Sequence, residues 1–338
     1  MCIRDRVHAL QFSRASESTL TQLGQGGPDF TALRDAVRGA LENFKGLPAA
    51  AIDPATAAYL RPYQRGGADF LTWATTHFGG ALLADDMGLG KTLQVLATLS
   101  ALRAGKAKPG PSLVICPTSV VRNWEREAKR FAPGLRLLIV ESGSARRANY
   151  SKLGDVDLVV TNYALARIDL TALQAVQWLA VIVDEAQAIK NPGSDISRAV
   201  KSIPSAHRIA LTGTPIENRL MDLWSIMEFA MPGYLGSPDN YKEGANGTAD
   251  QQLAYLRLRA RLRPVLLRRL KAEVAPELPD RIEERIDCEM TAPQRELYAA
   301  EVARVRMMLG AGSSINGKER IQILAAITRL RQLCCAPE

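Results

Sequence analysis

The chain has 338 residues, 47% hydrophobic and 23% charged, with a net charge of +8 at neutral pH. That length and balance suit one large or two ordinary globular domains, and no apolar run approaches the ~18–20 residues a membrane helix needs. Five cysteines without a Cys-x-x-Cys spacing and three scattered histidines argue against a disulfide framework or a zinc site and for a reducing, cytoplasmic setting, while the positive charge is compatible with nucleic acid without establishing it.

Residues 1–6 join no pattern that follows, and no apolar core of a secretory signal is visible after them. Phe30, Leu33, Val37, Leu41 and Phe44 share one face of a helix predicted over 30–44, after a Gly/Pro-rich loop at 24–28. A second helix is expected over 60–78, beginning near Pro62. From Gly80 the chain alternates. Strands are predicted at 81–84, 112–116, 135–140, 157–161, 181–184 and 208–212, with helices near 92–103, 120–131, 145–153, 164–178 and 195–203. The strands are continuous Val/Ile/Leu runs, as in a parallel sheet covered on both faces, so the fold class is a doubly wound α/β domain. Such sheets bind ligands at the carboxyl ends of their strands.

The alternation stops near Met231. Residues 232–248 are rich in Gly, Pro and Asn and read as an exposed loop. The stretch 251–271 reads as a strongly basic helix carrying Arg257, Arg259, Arg261, Arg263, Arg268, Arg269 and Lys271; it suits a solvated face as well as a binding surface. A last helical region runs over 293–333.

The chemistry is concentrated at 80–94, where a short apolar strand leads through Asp85-Asp86-Met87-Gly88-Leu89-Gly90-Lys91-Thr92-Leu93 into a helix. This is the layout of a phosphate-binding loop: Gly88 and Gly90 let backbone N–H groups approach phosphate oxygens, and the helix N-terminus favours an anion. Lys91 supplies a point charge for the β/γ-phosphates and Thr92 a hydroxyl for Mg²⁺. Asp85 stands where the common loop begins with glycine. Further on, the apolar run 181–183 ends in Asp184-Glu185-Ala186-Gln187. Asp184 suits Mg²⁺, and Glu185 suits the orientation of a water facing the γ-phosphate. Leu211-Thr212-Gly213-Thr214-Pro215 closes another strand, with hydroxyls able to bond to the Asp184-Glu185 segment.

These segments together resemble the N-terminal motor lobe of Swi/Snf-type ATPases, the DNA translocases of helicase superfamily two. Leu60-Arg61-Pro62-Tyr63-Gln64 is similar to the Q motif, 85–92 to motif I, and Ile115-Cys116-Pro117-Thr118-Ser119 with Asn123-Trp124 to motif Ia. Val160-Thr161-Asn162-Tyr163 resembles motif Ib, 184–187 motif II, and 211–218 motif III. Leu267-Arg268-Arg269-Leu270-Lys271 with Leu278-Pro279, and 331–337, resemble the segments leading out of this lobe. The family's motif I tolerates Asp85.

The resemblance implies roles. Gln64 reads adenine; Asp86, Met87, Gly88, Leu89, Gly90, Lys91, Thr92 and Leu93 bind ATP; Thr92 and Asp184 hold Mg²⁺; Lys91 and Glu185 are catalytic. Gln187, Thr212, Gly213 and Thr214 couple nucleotide state to DNA, and Thr118, Ser119, Asn123, Asn162 and Tyr163 lie near the phosphates of double-stranded DNA. Trp124 is expected in the core. The implied division is an extension at 1–57, a RecA-like ATP-binding lobe at 58–231, a loop and basic protrusion at 232–290, and a helical linker at 291–338 towards a second RecA-like lobe. No arginine-rich motif VI follows motif III, so this chain is expected to bind ATP and turn it over poorly by itself. The expected location is cytoplasmic, on the nucleoid in a bacterium or in the nucleus of a eukaryote. Two alternatives stay open: a strand-separating helicase of the same superfamily, and a nucleotide-gated binding module that is not an enzyme.

Overall fold

Seven parallel strands form one sheet in the computed structural model, which describes residues 46–143, 153, 155–213, 220–237, 258, 261–274, 287–309 and 317–335. They are β1 (Gly80–Leu83), β2 (Ser112–Cys116), β3 (Leu137–Ile139), β4 (Leu158–Asn162), β5 (Trp178–Val183), β6 (Ser205–Leu211) and β7 (Leu266–Leu267), in spatial order β3-β4-β2-β5-β6-β1-β7. Every residue of β1, β2, β4 and β5 is buried, as their unbroken apolar runs require of a sheet covered on both faces. The core gathers these strands with helix residues such as Leu71, Leu96 and Trp124.

Helices α1 (Pro54–Ala57), α2 (Pro62–Phe78), α3 (Lys91–Arg103), α4 (Thr118–Phe131), α5 (Tyr163–Ile168), α6 (Leu170–Gln174), α7 (Asp195–Lys201) and α8 (Leu220–Ala230) complete the α/β part, with a 3₁₀ turn at Ala186–Ile189. Pro62 opens α2 where its missing N–H costs nothing, and Gly79 ends it in the left-handed conformation at φ 77°. The single helix expected over 164–178 is two, broken at Asp169, and Trp178 belongs to β5, its indole N–H donating to Leu173 O at 2.8 Å. The helix expected over 30–44, and all of 145–153 but its last residue, lie outside the described residues.

The sheet does not end with the alternation at residue 231. Within the stretch read as a basic helix, Leu266 and Leu267 lie parallel to Leu82 and Leu83. Leu82 N–H donates to Val265 O at 2.8 Å and Ala84 N–H to Leu267 O at 2.7 Å, so the segment extends the sheet past β1. A short helix, α9 (Lys271–Val274), follows.

The described residues fall into two compact units, divided between residues 278 and 279. In the second, α10 (Ala292–Leu309) packs on α11 (Gly317–Cys335), so the region expected as one helical stretch is a pair. Gln294 Nε2 donates to Leu333 O at 3.2 Å, and the buried Glu301 carboxylate pairs with Arg304 and, at 3.7 Å, with Arg329. Among the described residues no helix is long and apolar enough to cross a membrane.

Candidate nucleotide-binding site

The sheet order β5-β6-β1 sets three carboxyl ends side by side: Asp184-Glu185 after β5, Thr212-Gly213 after β6, and the Asp85–Gly90 loop after β1. Crossover connections therefore bring together segments far apart in sequence.

In the loop, Gly88 and Gly90 have φ of 82° and 73°, a conformation that side chains resist. Gly90 is the N-cap of α3, so the first N–H groups of that 13-residue helix open towards the loop. Lys91 Nζ donates to Asp85 O at 2.9 Å and Asp86 O at 3.3 Å, which holds the ammonium at the loop. A Cβ on Gly213 would lie 3.0 Å from Met87 Cγ and 3.8 Å from Lys91 Nζ, so the turn after β6 stands directly against Lys91. Leu89 and Leu93 are buried in the core, which confines any part they take in binding to their backbone.

Gln64 bridges the start of α2 to the loop. Its Oε1 accepts from Arg61 N–H at 3.0 Å, its Nε2 donates to Leu89 O at 3.2 Å, and it rests against Gly90, where a Cβ would meet Nε2 at 2.3 Å.

Asp85, at the position where the common loop begins with glycine, is fully buried. Its Oδ1 accepts from Arg269 Nε at 3.0 Å, and its Oδ2 from Arg269 Nη2 and, at 3.2 Å, from Gln94 Nε2. Arg269, its side chain 14% exposed, is thus the ion-pair partner of a buried carboxylate, which neither the solvated face nor the binding surface suited to its stretch anticipates. Gln94 also donates to Leu89 O at 3.2 Å, fastening α3 to the loop. Asp86 is engaged as well: its N–H donates to Arg269 O and its carboxylate accepts from Lys271 N–H, both at 3.0 Å.

Asp184 is the other centre. Its Oδ2 accepts from Trp124 Nε1 at 2.8 Å, its Oδ1 from Glu185 N–H at 2.9 Å, and its carbonyl from Tyr163 Oη at 2.7 Å. Burial pushes its carboxyl above the usual carboxylate range; the Trp124 bond opposes this, and the Glu185 charge adds to it. Burial likewise raises Cys116 to about 12, with the Asp184 charge contributing, so this strand-end thiol stays protonated. Glu185 has φ 51°, the only positive value outside glycine among the described residues. Such strained positions concentrate at functional sites. Gln187 Nε2 donates to Glu185 Oε2 at 2.8 Å, and Gln187 Oε1 accepts from Thr212 Oγ1 at 3.2 Å. The expected contact from Thr212 to the acidic segment therefore runs through Gln187 instead of reaching a carboxylate directly; Thr214 lies outside the described residues.

Among the described residues no cluster of three or more His, Cys, Asp or Glu side chains could hold a metal ion by itself. Thr92 and Asp184 fit a Mg²⁺ that takes its remaining ligands from phosphate and water, which is how that ion is commonly held.

The residues expected at DNA separate into two groups. Thr118 and Ser119 stand exposed at the start of α4, and Asn123 is half-buried on its flank, paired with Glu127 at 2.6 Å and Arg126 at 2.7 Å. Asn162 and Tyr163 are buried instead. Asn162 Oδ1 caps α5 at Leu165 N–H, and Tyr163 spends its hydroxyl on Asp184, so neither side chain is presented to a duplex. Sequence reasoning missed Arg269 and the indole bond of Trp124. The first lay 184 residues from its partner, and the second left no sign in an apolar residue.

A family model described as SNF2-related domain matches residues 63–338. The chain is 37% identical over 316 residues to the putative ATP-dependent helicase/translocase YwqA of Bacillus subtilis, covering 90% of this chain and 34% of that protein. It is 33% identical over 313 residues to TATA-binding protein-associated factor MOT1 of Saccharomyces cerevisiae, covering 84% and 17%. Among solved structures, the Sulfolobus solfataricus SWI2/SNF2 ATPase core in complex with dsDNA superposes with a TM-score of 0.61 at 41% identity, covering 86% of this chain and 60% of that one. The chain thus spans about a third or less of the curated relatives it matches.

Proposed function

This chain belongs to the SNF2-related domain family, and on that premise we propose that it forms the first, ATP-binding RecA-like lobe of an ATP-dependent motor that translocates on double-stranded DNA. One observation carries the reading: Lys91, the Gly213 turn and the Asp184-Glu185 pair converge at the carboxyl edge of β1, β6 and β5. In this reading the N–H groups of 86–92 and the Lys91 ammonium hold the β/γ-phosphates, and Thr92 and Asp184 hold Mg²⁺, which spreads charge over the phosphate oxygens. Glu185 orients the attacking water. Gln187, hydrogen-bonded to both Glu185 and Thr212, passes a change at the acidic segment to the turn after β6. The exposed Thr118 and Ser119 meet DNA phosphates, a grip without sequence preference. The duplex is moved along without being opened, wherever it lies, on a bacterial nucleoid or in a eukaryotic nucleus.

Hydrolysis in this reading needs an arginine from a second RecA-like lobe, a contribution worth ~10³–10⁵ in rate in phosphoryl transfer. The test is ATP binding and turnover by this chain, with and without duplex DNA, beside Lys91→Ala and Glu185→Gln. Binding that depends on Lys91 with negligible turnover supports the reading, and a chain extended into the second lobe then gains duplex-stimulated hydrolysis. Fast duplex-stimulated turnover by these residues alone refutes the need for a second lobe. Binding indifferent to Lys91→Ala refutes the site itself.

A further inference from the structure

The segment 265–271 belongs to none of the strands and loops that carry the phosphate, metal or water chemistry, yet it runs beside β1 and the first residues of the phosphate loop. Its backbone accepts from Leu82, Ala84 and Asp86, at 2.8, 2.7 and 3.0 Å, and Lys271 N–H returns a bond to the Asp86 carboxylate. This places Arg269 beside the loop's first residue, with its side chain only 14% exposed.

All three guanidinium nitrogens of Arg269 are engaged. Nε and Nη2 form a fork on the fully buried Asp85 carboxylate, Nη2 also donates to Gln94 Oε1 at 2.6 Å, and Nη1 donates to Tyr63 O. The guanidinium carbon lies 5.4 Å from the centre of the Tyr63 ring. Tyr63 precedes Gln64, the residue resting on Gly90, and Gln94 is bonded to the Leu89 carbonyl to which Gln64 also donates. One planar group therefore touches the segment expected at the base, the entrance of the phosphate loop, and the helix that follows it. A rigid, always-charged fork suits such a three-way junction, and a lysine does not replace it. Gly67 makes room for it: a Cβ there would lie 1.8 Å from Gln94 Oε1 and 2.7 Å from Arg269 Nη2.

Resting on the nucleotide-site reading above, we propose that Arg269 is a positioning residue that sets the Tyr63-Gln64 segment against the phosphate loop, so that preference for the adenine base depends on it as well as stability. A purely structural Arg269 would only neutralise Asp85. The two roles separate when both charges are removed together, because a buried pair replaced as a pair leaves no unpaired charge behind.

The experiment measures binding of ATP and of GTP to the complete chain and to Asp85→Asn/Arg269→Met, with the thermal midpoint of each. The expected result is a folded double variant whose preference for ATP over GTP falls roughly tenfold, about the worth of one well-placed hydrogen bond. Wild-type affinity and preference in that variant overturn the proposal, since charge neutralisation would then be the whole role. Should it fail to fold, Arg269→Lys decides: it keeps a charge opposite Asp85 but cannot span Tyr63 O and Gln94 together. Loss of preference there supports the proposal, and an unchanged preference overturns it. A wild-type chain that binds neither nucleotide, or whose nucleotide binding is undiminished by Lys91→Ala, sinks the underlying site reading and is told apart from failure of the Arg269 role by that control.

Discussion

The indole N–H of Trp124 donates to Oδ2 of Asp184 at 2.8 Å, joining the middle of α4 to the carboxylate at the end of β5. Trp124 has no exposed surface, so the bond is sheltered from water and fixes which way the carboxylate faces. Side chains that orient metal-holding carboxylates typically matter about 10–100-fold for metal affinity. Trp124→Phe keeps most of the apolar bulk and removes only the donor. It is expected to weaken Mg²⁺-dependent ATP binding by about tenfold while binding without Mg²⁺ changes little. The sign of the pH effect follows. Burial raises the Asp184 carboxyl and the Trp124 bond holds it down, so losing the bond moves the acid limb of Mg²⁺-ATP binding to higher pH. A Mg²⁺ titration of nucleotide binding at several pH values checks both. Coincident wild-type and variant curves would show that the bond does not set the carboxylate.

Asp157 joins elements on the amino side of the sheet. It accepts from Arg136 N–H at 2.9 Å, Arg136 Nε and Nη2 at 3.0 Å, and Arg103. Burial alone would raise its carboxyl, but the Arg136 hydrogen bonds and the Arg103 and Arg136 charges outweigh it and leave the group below its ordinary value. For a depressed carboxyl the stabilisation is present above the unfolded value, near ~3.9, and is lost as pH falls through the folded value. Asp157→Asn is expected to cost about 1 kcal/mol at neutral pH, since Arg136 is mostly exposed and water screens its part of the pairing. The gap between variant and wild type closes in acid. Denaturant midpoints between pH 7 and pH 3 measure it, and a gap independent of pH would contradict the charge argument.

Lys201 gives the opposite case. Burial lowers its ammonium to about 8, its Nζ donates to Ser225 Oγ at 2.8 Å, and it lies 5.7 Å from the centre of the Trp224 ring. Ser225 Oγ donates in turn to Ile189 O at 2.7 Å, so Ser225 remains satisfied without the lysine. For a lysine lowered on folding, the penalty is fully present below about 8 and is relieved as pH rises towards the unfolded value of 10.5. Lys201→Met is therefore expected to stabilise the lobe at pH 7 by ~1–2 kcal/mol, after allowing for the lysine's partial contact with water. It should also flatten the rise in wild-type stability between pH 8 and 10. Equal slopes in the two proteins would refute the assignment.

The sheet was legible because buried parallel strands are continuous apolar runs, and β2 falls on the predicted residues without adjustment. The phosphate loop and Asp184-Glu185 were legible because their chemistry is local: a turn, a helix start, a strand end. What escaped was set at long range. Leu266-Leu267 is too short to carry a strand pattern, and only docking on β1 makes it one. Arg269 sits among arginines that together suit a solvated face or a binding surface, and nothing near it announces Asp85. Tyr163 and Asn162 were assigned to DNA by their motif, yet the fold turns one inward to Asp184 and spends the other on a helix cap. Composition told residue type in each case. Which way the side chain turned depended on packing partners remote in sequence.

Glu185 carries the last prediction. At φ 51° and ψ 58° it occupies the left-handed region, which costs a non-glycine residue about 1–2 kcal/mol. A glycine in its place would not bear that cost, since glycine adopts this conformation freely. Glu185→Gly is therefore expected to raise the unfolding free energy by ~1 kcal/mol, the relief of strain being partly offset by the greater entropy of glycine in the unfolded chain. It also removes the carboxylate that accepts from Gln187 at 2.8 Å and that orients water in the proposed reading, so turnover by a chain carrying both lobes is expected to be lost. Glu185→Gln keeps the strained backbone and removes only the charge. Turnover should fall in both variants while stability rises only in the glycine one. Were the glycine variant no more stable than the glutamine variant, the conformation would carry no strain, and a functional reason for glutamate in that place would have to rest on the carboxylate alone.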